Sequence, residues 1–177
     1  GVRPQVRSGL GLQVPVCEVA QVPAPAWVIV PAISTKMPEV LVPALARDDV
    51  ADALPVLRAW ADGGARMGAA CIGTFVLAET GLLDGHEATT TWWLTPLFRQ
   101  RYPAVKLDAH RIVVPSGSVL TAGAALSHID LALWLIRQSS PELSACTRSG
   151  ACITAKCPGW STANRTYATP TSRNPSG

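Results

Sequence analysis

Met67-Gly68-Ala69-Ala70-Cys71-Ile72-Gly73-Thr74 places a nucleophile among small residues at the point where a strand pattern gives way to a helix pattern. The buried segment Ala65 to Cys71 precedes it. Beyond Gly73 a helical pattern carries Phe75, Val76 and Leu77 and ends before Gly81-Leu82-Leu83-Asp84-Gly85. A tight strand-to-helix turn needs small residues two positions before and after its centre, here Ala69 and Gly73, and it lifts the central side chain into a pocket. The helix amino terminus beyond it offers unpaired N–H groups and positive potential, which favour a thiolate at Cys71 and suit an oxyanion. Spacing alone also admits Cys71 as a small buried hydrophobe, the commoner role for a cysteine among Ala and Gly.

Outward from this turn, strands alternate with helices. Ala26-Trp27-Val28-Ile29-Val30-Pro31 is a short β-branched run closed by Pro, which predicts a central parallel strand buried on both faces. Pro55 suits the first turn of a helix running to about Asp62, with Val56, Leu57 and Trp60 on one face and Gly63-Gly64 as its stop. Trp92 to Arg101 reads as a helix with Trp92, Trp93, Leu97 and Phe98 as its apolar positions. Val105 to Asp108 and Arg111 to Val114 read as short strands, and Ser116-Gly117-Ser118 turns the chain into Val119-Leu120-Thr121. The clearest helix spans about Ala124 to Gln138, its apolar face formed by Ala125, Ile129, Ala132, Leu133 and Ile136. The alternation predicts an α/β sandwich.

Composition agrees. The 177 residues are 48% hydrophobic and only 15% charged, enough apolar material for one sizeable core. Apolar runs stop well short of the roughly 18 residues that a membrane span needs, and Gly1 to Val16 lacks the apolar core of a signal peptide, so the expected location is the cytoplasm with no membrane partner. Cys17, Cys71, Cys146, Cys152 and Cys157 form an odd set without C-x-x-C spacing, which points to reduced thiols and away from a metal site. No cofactor is implied. Lys/Arg and Asp/Glu cancel over residues 1–140, while Arg148, Lys156, Arg165 and Arg173 face Glu142 alone in the tail. Cations spread singly do not make a nucleic-acid surface. Residues 145–177, rich in Ser, Thr, Gly, Pro and Asn, read as an irregular or disordered tail with no helix-turn-helix, leaving residues 1–144 as the folded domain.

Gly64-Ala65-Arg66-Met67, Cys71 through Gly85, Ala88-Thr89-Thr90, Trp92-Trp93, Phe98-Arg99, Arg101-Tyr102-Pro103, Thr121-Ala122-Gly123-Ala124 and Ile129 through Leu133 together resemble the ThiJ/PfpI-type, class I glutamine amidotransferase-like domain. They resemble most closely the version at the amino-terminal end of AraC family transcriptional regulators. The resemblance covers roughly residues 5–144 and is most specific over 64–137. It implies a flavodoxin-like three-layer α/β sandwich with a mainly parallel sheet. It also implies a sensor and dimerisation domain: a homodimer that binds a small-molecule effector and reaches DNA only through a helix-turn-helix domain absent from this chain. The implied ligand pocket comprises Cys71, Ile72, Gly73, Thr91 and Trp92, with Cys71 in the place of the catalytic nucleophile.

Three departures bear on activity. Enzymes of the superfamily pair the elbow cysteine with a histidine, and here its place is taken by Thr91, which cannot act as a base near neutral pH. Pro4 to Val14 resembles a segment that follows the family's first strand and helix, so the chain is expected to begin inside the domain, without the acidic residue those elements contribute. Cys146 to Gly177 resembles no part of the family. The expected function is a non-catalytic sensor, with a cysteine-dependent hydrolase, hydratase or glyoxalase-like enzyme as the alternative. His86 reads as a solvated turn residue more readily than as the missing base, His110 likewise, and His128 as a helix-surface residue. Trp92 and Trp93 suit core and interface packing better than a ligand platform.

Overall fold

The computed structural model describes residues 5–7, 10–33, 37–124 and 126–139. Two short exposed strands, β1 (Gln5–Arg7) and β2 (Gln13–Pro15), pair antiparallel and lead through a 3-10 turn at Val19–Gln21 to β3 (Trp27–Val30). Helices α1 (Pro38–Leu45) and α2 (Asp48–Asp62) carry the chain back to β4 (Arg66–Ala70), which lies parallel to β3 with Val28 opposite Met67. Helix α3 (Gly73–Glu79) follows, then β5 (Glu87–Ala88), a 3-10 turn at Trp92–Leu94, α4 (Thr95–Arg101) and β6 (Lys106–Leu107). The hairpin β7 (Val113–Ser116) and β8 (Val119–Ala122) precedes the last helix, α5 (Ser127–Ser139).

The main sheet has the order β3-β4-β8-β7, parallel throughout except for β7, which returns antiparallel to β8. Parallel neighbours need helical crossovers, and α1, α2 and α3 supply them, packing on one another with α3 also against β3 and β4. β5 and β6 form a separate parallel pair. The chain divides into two compact units, Gly1–Ala132 and Leu133–Gly177; sheet and elbow lie in the first, and of the second only the end of α5 is described. Phe75, Phe98, Leu41, Met67, Leu77, Leu83 and Leu94 are fully buried in the core.

The structure corrects four local expectations. Trp27–Val30 is an edge strand among the described residues rather than a central one, so only Val30 is buried and Ile29 is 43% exposed. α2 starts at Asp48, two turns before Pro55, which stands inside the helix without an N–H to donate. Asp48 and Asp49 in its first turn, the latter bonded by Arg47 Nε at 2.9 Å, favour that earlier start, and buried Val50 and Leu57 hold it. Trp92–Arg101 is not one helix: Pro96 cannot donate to the Trp92 carbonyl, so the α-helix begins only at Thr95, whose N–H takes that carbonyl instead. As a result Leu94 and Phe98 point into the core while Trp92 is 72% exposed. Finally, α5 buries Ser127 and Leu131 and exposes Ile129 and Ile136. Apolar residues occupy nearly every side of this helix, so its sequence fixes the period and not the phase; Ala125 lies outside the described residues.

Two other expectations are met with their mechanisms visible. The α2 stop is a Schellman motif: Ala65 N–H donates to the Trp60 carbonyl and Gly64 N–H to that of Ala61, with Gly64 at φ +91°, a conformation only glycine adopts cheaply. The turn after Ser116 closes the β7–β8 hairpin, pairing Ser116 with Val119. Residues 145–177, with Cys146, Cys152 and Cys157 and the question of a helix-turn-helix, lie outside the described residues.

Candidate functional site

β4 ends at Ala70 and α3 begins at Gly73, so Cys71 occupies the connection between them. Its φ is +57°, and among the described residues no other non-glycine residue has a positive φ. This left-handed conformation costs an L-residue about 1–2 kcal/mol and persists only where the surroundings over-determine it. They do so here from both sides of the residue. Cys71 N–H is shared between the carbonyls of Ala122 and Gly123, each at 2.9 Å, at the end of β8. Its carbonyl accepts from Thr90 Oγ1 at 2.9 Å and from Thr74 N–H at 3.2 Å.

The small residues flanking the turn have steric work. A Cβ on Gly73 would stand 2.5 Å from the Val30 carbonyl oxygen and 2.9 Å from that of Pro31, so α3 can approach the end of β3 only without a side chain there. Ala69 is fully buried between β3 and β8. The strand–turn–helix geometry of a nucleophile elbow is therefore present, with Cys71 half-buried at its apex.

Thr91 is fully buried, and its hydroxyl has no hydrogen-bond partner among the described residues. The hydroxyls of Thr74 and Thr95 share that condition. An orphaned buried hydroxyl costs about 1–3 kcal/mol, so the α3 and α4 amino-terminal turns carry an unusual concentration of unsatisfied polarity. Neighbouring threonines are fully engaged: Thr89 Oγ1 donates to the Arg111 carbonyl at 2.9 Å, and Thr89 N–H donates to Thr121 Oγ1 at 2.8 Å. The pinning role of Thr89 and Thr90 escaped the sequence reading, although a run of threonines in a non-helical stretch is the signal for such side-chain anchoring.

The histidines are placed elsewhere. His86 Nδ1 lies 3.2 Å from Ser116 Oγ, which also accepts from Glu87 N–H. Ser116 pairs with Val119 at the start of β8, whereas Cys71 is bonded at the strand's other end, about 10 Å away at a strand's rise per residue. His110 is exposed, its N–H taken by Asp108 Oδ1, and His128 is exposed on α5. Of the expected pocket residues, Cys71, Ile72 and Gly73 are consecutive in the elbow and Thr91 follows Thr90, which bonds it; Trp92 stands out from the surface against Trp93, edge to face at 5.6 Å. Among the described residues no group of His, Cys, Asp and Glu could hold a metal ion, and no helix is long and apolar enough to cross a membrane.

Two cavities lie away from the elbow. One, of about 710 Å³, lies between β1 and α2 and includes Arg7, Asp48, Asp52 and Trp60 in its lining. The other, of about 350 Å³, is lined by Arg58, Glu79, Asp84, Arg101 and Tyr102 among others. There Glu79 Oε1 accepts from Tyr102 OH at 2.5 Å and from Arg101 Nε at 2.7 Å, and Arg58 Nε caps the end of α3 through the Thr80 carbonyl at 2.8 Å. Burial, with the Glu79 carboxylate as second cause, pushes the Tyr102 phenol well above its ordinary value. Tyr102 also closes an aromatic cluster with Phe75 and Phe98.

No family model matches the chain. Over 90 residues it is 32% identical to the HTH-type transcriptional regulator GbdR of Pseudomonas aeruginosa, an alignment covering 50% of this chain and 24% of that protein. The chain thus spans about a quarter of the length of the curated relatives it matches. Among solved structures, an AraC family transcriptional regulator from Pseudomonas putida superposes with a TM-score of 0.53 at 18% identity, covering 77% of this chain and 69% of that one. A ThiJ/PfpI family protein from Pseudomonas syringae gives 0.57 at 17% identity, covering 88% and 61%. The fold is thus the flavodoxin-like α/β arrangement of these proteins, and over about half of its length the chain is similar in sequence to HTH-type transcriptional regulators.

Proposed function

We propose that this chain is the effector-sensing and self-associating domain of an AraC family transcriptional regulator. On this reading residues 1–144 hold a small molecule at the Cys71 elbow in the cytoplasm without turning it over, and a helix-turn-helix domain outside this chain reads DNA. The observation that carries the proposal is the company Cys71 keeps. The elbow is built and strained, yet position 91 holds a buried threonine with an unpaired hydroxyl, and His86 sits at the far end of β8. A thiol whose usual partner position holds threonine in place of a base loses most of its nucleophilic rate.

Amidase, protease and glyoxalase assays on the purified chain test this, and negligible turnover is expected in all three. The strain at Cys71 is the feature that favours the second reading, a cysteine hydrolase, hydratase or glyoxalase-like enzyme. Turnover that disappears in Cys71→Ala would establish that reading in place of the first. Promoter DNA supplies a separate check. Since residues 1–140 carry no net charge, fluorescence anisotropy should find no sequence-dependent binding at physiological salt.

A further inference from the structure

Helix α2 carries two apolar rows. Val50, Leu54 and Leu57 belong to the core or pack against it, whereas Ala53, Val56 and Trp60 stand about a quarter turn away around the helix. That second row lines the cavity of about 710 Å³, together with Val6 of β1 and Val19 of the 3-10 turn. Small-molecule sites have this make-up: roughly 300–1,000 Å³ of mostly apolar wall with a few polar groups. The charges in the lining are unevenly used. Arg47 Nε donates to Asp49 Oδ1 at 2.9 Å, and Asp52 is engaged as well. Arg7 on β1 and Asp48 on α2 line the same cavity, yet neither has an ion pair among the described residues.

We propose that this cavity binds an apolar α-amino acid, with the carboxylate on Arg7, the ammonium on Asp48 and the side chain along Ala53, Val56 and Trp60. The site is separate from the Cys71 elbow and goes beyond the proposed function. Charge decides the ligand class. Arg7 and Asp48 belong to different walls and do not pair with each other, so a molecule carrying both signs completes two charge-assisted contacts at once. A carboxylic acid without an amine would meet three aspartates in the lining, and an amine without a carboxylate would meet Arg7. A zwitterion leaves neither charge opposed. The planar guanidinium of Arg7 suits both oxygens of a carboxylate, and the half-buried Trp60 offers a broad apolar surface to a branched or aromatic side chain.

The test is isothermal titration calorimetry of the full chain with L-leucine, with L-leucinamide, which lacks the carboxylate, and with N-acetyl-L-leucine, which lacks the ammonium. Leucine is expected to bind in the submillimolar range and each analogue at least tenfold more weakly. Arg7→Gln should erase the difference between leucine and leucinamide, and Asp48→Asn the difference between leucine and N-acetyl-leucine. Both side chains are exposed, so neither change disturbs the core. Ala53→Trp, which fills the cavity, should abolish binding. Leucine that fails to bind at millimolar concentration overturns the inference, as does leucine that binds no better than its analogues or equally well in the Arg7 and Asp48 variants. Iodoacetamide labelling of Cys71, followed by peptide mass spectrometry, separates this site from the elbow. An unchanged labelling rate in saturating leucine is expected. Protection of Cys71 would place the amino acid at the elbow, overturning this inference and supporting the sensing function there, whereas leucine binding in a chain whose elbow holds no effector would leave this site standing alone.

Discussion

Thr90 Oγ1 donates a 2.9 Å hydrogen bond to the carbonyl of Cys71, tying the loop after β5 to the one non-glycine residue with a positive φ among those described. Nineteen residues separate the two in sequence. The strained elbow is thus held by a side chain outside both the strand and the helix it joins. Thr90→Val should destabilise the fold by about 1 kcal/mol, because it removes a part-buried hydrogen bond and leaves the Cys71 carbonyl with Thr74 N–H. Thr90→Ser should restore most of the loss. Urea denaturation of the three proteins checks this, and equal midpoints for wild type and Thr90→Val would show that the bond does not matter.

Gly73 and Gly68 make a matched pair of tests. A Cβ on Gly73 meets backbone oxygens at 2.5 and 2.9 Å, which cannot move without shifting β3. On Gly68 it meets Ile29 Cδ1 at 2.6 Å, the flexible end of a side chain that is itself substantially exposed. Gly73→Ala is expected to cost about 3 kcal/mol or more and Gly68→Ala about 1 kcal/mol or less. Thermal unfolding should rank them in that order.

The orphaned hydroxyl of Thr91 leads to a stabilising substitution. Valine has nearly the same shape and no polar atom, so Thr91→Val should raise stability by about 1 kcal/mol. Chemical denaturation gives the sign directly. A loss of stability would mean that the hydroxyl is satisfied in solution, as by a buried water.

Tyr102 predicts a pH dependence. Its phenol ordinarily ionises near 10 and is raised in the folded chain, first by burial and then by Glu79. Above pH 10 the unfolded chain therefore releases this proton while the folded chain keeps it, so stability is complete below that value and falls as pH rises past it. Tyr102→Phe should flatten that alkaline decline. Melting temperatures of both proteins from neutral to alkaline pH measure the difference in slope, and parallel curves would contradict it.

Several features were legible in the residues themselves because their causes are local. Small residues around Cys71 specify a close turn, Gly64 specifies the left-handed residue of a helix stop, and Ser116-Gly117-Ser118 specifies a hairpin. The alternation of apolar runs with helical periods was enough for an α/β architecture, and the threonine at position 91 was visible without any coordinates.

What the tertiary structure alone decided are matters of phase, partner and neighbourhood. Whether Trp27–Val30 is central or at an edge depends on strands distant in sequence, and its β-branched composition is the same in either place. Which side of α5 is buried follows from what it packs against, since Ile129, Leu131 and Ile136 are equally apolar and only Leu131 is buried among them. The hydrogen bonds of Cys71 to Ala122, Gly123 and Thr90 join segments 19 to 52 residues apart. Sequence fixes what each residue can do through its own backbone and side chain, whereas the fold decides which distant groups meet it, because burial and hydrogen bonding are properties of pairs.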